Sequence, residues 1–532
     1  DWSSDVCSSD LKKGIIALSA VAALATTSFA NADMQLQLDL LKKQMAALEA
    51  SMNSNAKSIK KVTKKVAKTN KKLNMVKAHD ASDNIKWSVD FRTSLDSIHY
   101  KHVSGAKSSN PDLLTNRLWL GMGYAPSENV IFKGKLSYLK AYGDTANHSQ
   151  SNTNPGYANF DWVTNENAND NTLNVKEAYW LYMNDKLFGS DVAWTASVGR
   201  RPSTDGLGIN LREGMKDNSP LSHTVNVEFD GMSAKFNLDK VTGVEGMWWK
   251  LCTGRGLTNA KQRFQSDGAD YAIDDDESKD INMYGFIFVP WDNGQYSIHT
   301  NWAKAEHMIG FDTSSTYEMM GFTDTELDTM VAGMYGAGFD ATNTGLANAL
   351  GSDKFEDVGD LELATIMLKA EGLGDGINDF LDDTRVFASW AQSKTKPNGT
   401  NGGMLGSLES KTGTSTWIGI NMPDPLSDDG RIGIEWNKGS KYWRSVTYGE
   451  DTMAGSKIAT RGTAWEVYYD QPITKSLTFN ARYTKIDYDY TGSNSFFGDD
   501  GAPTAIEDVN VATQGDQVKE ASDLRVSISY RF

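Results

Sequence analysis

Charged residues recur at every second position along several apolar runs, and that spacing lines a wet surface with fixed charge. In residues 85–96, Ile85, Trp87, Val89, Phe91 and Leu95 alternate with Lys86, Asp90, Arg92 and Asp96. A strand sends neighbouring side chains to opposite faces, so four ionised groups share one face. Such a face is costly to bury in a dry core and natural against water. The closing residues 524–532 repeat the alternation without a fault, with Arg525 and Arg531 on the polar side and Phe532 at the end. Arg201 and Arg482 join Lys86, Arg92, Arg525 and Arg531 as bases expected to face a lumen. Asp90, Glu435, Glu466 and Asp470 are the acids expected to face them. Opposed charges across a constriction sort small solutes by size and sign, and these ten residues are the candidate pore lining.

The pattern does not support covalent or metal chemistry. The seven histidines are scattered, and neither G-x-S-x-G nor H-E-x-x-H occurs. Ser297, His299 and Asn301 share a strand face and read as lining. Gly254-Arg255-Gly256 lacks the strand–helix context of a phosphate loop, and the acidic run 274–277 lacks the spacing of a calcium hand. Once Cys7 is set aside with the leading residues, Cys252 is the one cysteine left, which excludes an intramolecular disulfide or thiolate cluster. No enzyme activity, cofactor or metal site is expected.

The elements that must hold these charges are strands. Beyond 85–96 and 520–532, further strands are expected near 114–125, 130–142, 173–184, 191–201, 223–239, 246–253, 281–290 and 295–305. Others follow near 384–394, 415–422, 430–439, 461–471 and 476–490. Short turns rich in Pro, Gly, Asp or Asn join some of them, most clearly at 125–129, 290–294, 423–430 and 471–474. With both termini on one side, short and long connections must alternate, and the two halves of the chain disagree by one strand. A further strand must therefore lie inside 306–383, a region otherwise read as a long loop or plug, and 361–369 is the best fit. The alternative is a helix folded into the pore. The expected fold is all-β: a transmembrane antiparallel β-barrel of about sixteen strands over 85–532. Mean hydropathy of −0.47 suits it, because a barrel hides its lipid face in alternation.

The N-terminal residues differ in kind. Lys12-Lys13, an apolar stretch to Phe29 and Ala30-Asn31-Ala32 form a signal peptide over 11–32, expected to be cleaved after Ala32. Residues 1–10 resemble translated adapter read-through and are set aside. Over 33–80, Leu38, Leu41, Met45, Leu48, Met52, Asn55, Ile59, Val62, Val66, Thr69, Leu73 and Val76 keep alternating steps of three and four, which predicts an α-helical coiled coil. Eleven lysines against three acids in 33–79 make its second half strongly cationic. Like charges at i,i+4 repel, so this half needs an oligomer or an anionic partner to order.

Several segments carry a resemblance. Residues 175–179 with 196–202 are similar to paired strands of general and phosphate-selective porins. Residues 116–124, 439–444 and 485–490 resemble a porin-like outer-membrane family of unknown function (domain of unknown function 3373), whose members share the signal, lysine-rich coil and barrel. The ending at Phe532 resembles the signal by which outer-membrane proteins are taken up by the barrel-assembly machinery. The resemblance implies a barrel and a channel, and supplies no solute and no site.

The chain carries a net charge of −16, and the acids gather in expected outer loops, at 274–277 and between Asp312 and Asp360. Two readings of them stand: a solvated loop surface bridged to lipopolysaccharide by divalent cations, or an acidic vestibule that concentrates cations. Two functions follow from the whole. One is an outer-membrane porin-like channel for passive diffusion of small hydrophilic solutes or ions, expected as a homotrimer. The other is a structural envelope protein whose basic periplasmic coil tethers the outer membrane to peptidoglycan. Nucleic acid is not an expected partner.

Overall fold

The final strand shows in small what the whole wall does. In the computed structural model Leu524, Val526, Ile528 and Tyr530 point outward and are exposed, while Asp523, Arg525, Ser527 and Ser529 point inward and are buried. The structure describes residues 42–43, 85–142, 173–216, 220–258, 279–311, 355–374, 376–399, 403–427, 429–447, 450, 452–498 and 501–532. Lys42 and Lys43 are helical. The expected signal peptide, the rest of the coil and the acidic runs 274–277 and 312–354 lie outside the described residues.

Sixteen strands form the wall. They begin with β1 (Lys86–His102), β2 (Lys107–Ser127), β3 (Val130–Ala141), β4 (Asn174–Asn184) and β5 (Trp194–Arg201). Then come β6 (Phe229–Asn237), β7 (Trp248–Leu257), β8 (Ile281–Asp292), β9 (Tyr296–Phe311) and β10 (Phe355–Glu371). The circuit ends with β11 (Arg385–Pro397), β12 (Thr412–Pro423), β13 (Arg431–Gly439), β14 (Gly462–Pro472), β15 (Leu477–Tyr488) and β16 (Val518–Arg531). Each pairs antiparallel with the next, and β16 closes on β1 from Asp90↔Arg531 to His102↔Val518. Phe532 completes the seam by exchanging two backbone hydrogen bonds of 3.1 Å with Val89. Closure leaves no sheet edge, as a strand wall in hydrocarbon requires. Trp87, Phe91, Trp180, Leu251, Trp390, Ile418, Trp465 and Ile528 are among the outward apolar residues. Such a face suits lipid.

The expected wall strands are present, with 223–239 cut back to Phe229–Asn237, and the further strand expected inside 306–383 exists. Residues 361–369 lie in β10, hydrogen-bonded to β9 on one side and β11 on the other, so they are wall and not a plug helix. The stretch 306–383 therefore resolves, among the described residues, into the end of β9, all of β10 and a turn. Instead, parts of the connections 202–228, 440–461 and 489–517 fold inward. Val225–Asn226 pairs in parallel with Val446–Thr447, and Phe497–Gly498 with Gly310–Phe311. Val225 and Val227 pack on Ile281, Met283, Ala303, Ala305, Leu361 and Leu363 of β8–β10, forming an apolar core inside the barrel.

Candidate functional site

The site is made where the connection 202–228 meets the inner wall. Gly208 (φ +105°) lets the chain pass against the Trp417 ring, where an added Cβ would sit 2.3 Å from a ring carbon. One helical turn, Ile209–Arg212, follows, and Glu213 caps it. Glu213 then stands among arginines. Its Oε1 is 3.2 Å from Arg482 Nη1 and 3.6 Å from Arg212 Nε, and its Oε2 is 3.8 Å from both Arg92 Nη1 and Arg531 Nη2. Arg531 Nη1 also donates to the Glu213 carbonyl at 2.6 Å.

The contacts continue outward from that carboxylate. Arg531 Nε donates to Asp90 at 2.8 Å, and Arg117 donates to the other Asp90 oxygen at 3.2 Å. Arg525 Nε donates to Asp96 at 2.6 Å. Arg212 Nη1 reaches Glu466 Oε1 at 3.2 Å, and Lys457 Nζ bridges Glu466 at 2.5 Å and Glu435 at 2.7 Å. Thr484 donates to the other Glu466 oxygen, and the Trp417 indole donates to the same Glu435 oxygen as Lys457, each at 2.8 Å. Asp470 lies in the same sector, accepting from Asn480 at 2.6 Å. Buried charges persist only when paired in this way.

Eight of the ten expected lining residues therefore share one sector: Asp90, Arg92, Glu435, Glu466, Asp470, Arg482, Arg525 and Arg531. The other two stand elsewhere. Lys86 is exposed at the start of β1, opposite Gly123. Arg201 lies over the Tyr179 ring, 5.6 Å from its centroid. Ser297, His299 and Asn301 do face inward, but beneath the folded-in connection: Ser297 and His299 bond at 2.8 Å, and Asn301 donates to Thr224 at 3.2 Å.

Sequence reasoning missed Arg212, Glu213 and Lys457 because they lie on connections, where no alternation assigns a face. A signal existed: Leu207, Ile209, Leu211, Leu221, Val225 and Val227 are too apolar for a loop left in water. It also missed His223, which is fully buried between Ser389 Oγ (2.7 Å) and Ser415 Oγ (2.9 Å), with its ring edge-on to Trp417 and Trp443. Burial pushes its imidazole down to about 3, which keeps it neutral. Among the described residues no group of three or more His, Cys, Asp and Glu is placed to hold a metal ion.

A family model described as "Protein of unknown function (DUF3373)" matches residues 107–532, from β2 to the end of the chain. The chain belongs to that family. No curated protein matches it. Among solved structures, this DUF3373 member is similar to OprB of Pseudomonas putida at high pH, with 11% identity and a TM-score of 0.44 over 86% of this chain and 96% of that one. It is also similar to a Salmonella typhi OmpF complex with daunomycin (10%, TM-score 0.41, 85% and 98%). A third is in-vitro folded OmpT, an outer membrane protein of Vibrio cholerae in trimer form (9%, TM-score 0.38, 84% and 99%). No solute or activity passes from these to the present chain.

Proposed function

We propose that this protein is an outer-membrane channel for passive diffusion of small hydrophilic solutes or ions, narrowed by the connection 202–228. The observation that carries the reading is Glu213, held inside a sixteen-strand wall against Arg92, Arg482 and Arg531. A purely structural barrel needs no charged segment of this kind inside it, whereas a channel uses one to set bore and field. The tip beyond it supports an open path, since Gly214 and Lys216 are exposed. In this reading the chain sits in outer-membrane lipid beneath lipopolysaccharide, is inserted by the barrel-assembly machinery through the Phe532 ending, and assembles as a homotrimer. Its N-terminal coil stands in the periplasm and meets peptidoglycan.

The test is planar-bilayer recording of the mature chain, 33–532. Stepwise conductance that rises when Glu213→Ala loosens the segment is the expected result. A silent barrel in both forms overturns the channel and leaves the tethering role.

A further inference from the structure

Two connections that leave the wall on opposite sides meet inside it. Residues 202–228 run between β5 and β6, and 440–461 between β13 and β14, half a circuit away. Val225 and Asn226 pair in parallel with Val446 and Thr447, and the Val446 amide donates to the Thr224 carbonyl at 2.9 Å. The His223 ring stands edge-on to Trp443, with 5.6 Å between centroids. Arg212 Nη2 donates to the Glu450 carbonyl. Joined in this way, the two connections span the bore from one wall to the other.

One partner in this join is itself anchored. Two buried guanidinium groups tie 440–461 to the neighbouring connection 489–517. Arg461 donates through Nε to the Trp443 carbonyl at 2.9 Å, and through Nη1 to the Thr491 and Gly501 carbonyls at 2.9 and 2.8 Å. Arg444 Nη1 donates to the Ser493 carbonyl at 2.6 Å. Phe497–Gly498 then pairs with Gly310–Phe311 of β9. Hydrogen bonds to an ionised donor are the stronger kind, so these ties hold 440–461 and 489–517 as one body.

The seam between that body and 202–228 is built differently. Its ladder is two residues long and parallel, the pairing that is slightly weaker per residue. Beyond the ladder and the Arg212 contact, apolar packing closes it, since Val446 and Phe497 share one buried cluster with Val225 and Val227. Each side also carries a side-chain-bearing residue at positive φ: Asp205 at +56° and Glu450 at +35°. Backbone held there stores energy that a parted seam can release, and such positions gather at switch segments.

We propose that the seam between 202–228 and 440–461 is a gate, which bars the bore while Val225–Asn226 is joined to Val446–Thr447 and admits solute when the two part. The proposal rests on the channel reading above and adds a regulated step to it.

The experiment locks the seam. In the mature chain 33–532 with Cys252→Ser, the registered pairs Val225→Cys/Val446→Cys and, separately, Asn226→Cys/Thr447→Cys are oxidised, and bond formation is checked by thiol titration. Directly opposed positions suit a disulfide, and two pairs guard against one that folds badly. Planar-bilayer recording should show closed channels when either pair is oxidised, with stepwise conductance restored to the Cys252→Ser level by dithiothreitol. Equal conductance with the bond formed and reduced overturns the gate, and so does failure of both pairs to oxidise. If the Cys252→Ser chain is itself silent, a variant with 444–458 replaced by a short Gly-Ser linker separates the two ideas. Conductance in that variant keeps the channel reading and makes the seam a fixed plug, which overturns the gate; silence there removes both.

Discussion

Inside one wall, the connection 202–228 is held in two ways. Toward β8–β10 it is held by burial, with Val225 and Val227 on Met283, Ala303, Leu361 and Leu363. Toward β1 and β14–β16 it is held by charge, with Arg212 and Glu213 on Glu466, Arg92, Arg482 and Arg531. Apolar burial is non-directional and scales with area removed from water. A buried ion pair must first recover its desolvation cost, so it adds little net stability while tolerating only one geometry. The apolar sector thus supplies the adhesion and the charged sector fixes where the Glu213 carboxylate stands.

The strongest way to break this division is to remove an acid from the charged sector. Glu466→Ala leaves Arg212 and Lys457 buried without their shared carboxylate, which costs about 3–5 kcal/mol. Hydrogen exchange should rise in 209–213 and 452–461, while β8–β10 and the segment 225–227 stay protected. In the apolar sector, Leu361→Ala is expected to cost about 3 kcal/mol, because Leu361 is fully buried and its neighbours belong to a closed sheet that collapses poorly. Here exchange should rise at 225–227 and not at 209–213. If both variants loosen the same residues to the same degree, the two sectors act as one unit.

Acid pH separates the sectors without mutation. His223 is packed neutral, with its pKa near 3 against an ordinary value of 6.5. Its contribution to packing is complete above about 6.5 and is lost as pH falls toward 3, by up to about tenfold in equilibrium constant per pH unit. Glu450, pushed up by burial, works in the opposite direction: its contribution is complete below the ordinary carboxylate value and fades as pH rises. Exchange at 220–228 should therefore increase between pH 6.5 and 4 in wild type, and the slope should vanish in His223→Asn. A flat wild-type profile would mean that the His223 site opens without unpacking the segment.

These sectors explain which parts could be read in advance. The β16 pattern was legible because its outer neighbour is lipid and its inner neighbours are polar, so period two survives in the sequence. β8 is different: Ile281, Met283, Ile287 and Val289 are buried inward while Tyr284, Phe286 and Phe288 line the other face, giving an almost continuous apolar run. Such a run marks a strand covered on both sides. Here it records that a connection packs within the lumen, a fact no single strand's alternation can express. The same limit applies to Glu213. Its importance comes from strands far along the chain, Arg482 and Arg531 among them, brought round by barrel closure.

The smallest expected effect tests a residue outside both sectors. Lys86 is exposed and makes no ion pair among the described residues, with only Gly123 opposite it on β2. Replacing it with Gln removes no buried contact, so stability should change by less than about 0.5 kcal/mol. Its charge still stands in water at one end of the barrel wall. An exposed charge acts over about 10 Å at 0.1 M salt and about 3 Å at 1 M. Lys86→Gln should therefore shift the reversal potential slightly toward cations in dilute salt, and the shift should disappear at 1 M. Changes at Glu466 or Leu361 act through buried packing and should persist in both salts. A Lys86 effect that survives 1 M salt would place this lysine inside the constriction and extend the charged sector down β1 to that end of the barrel.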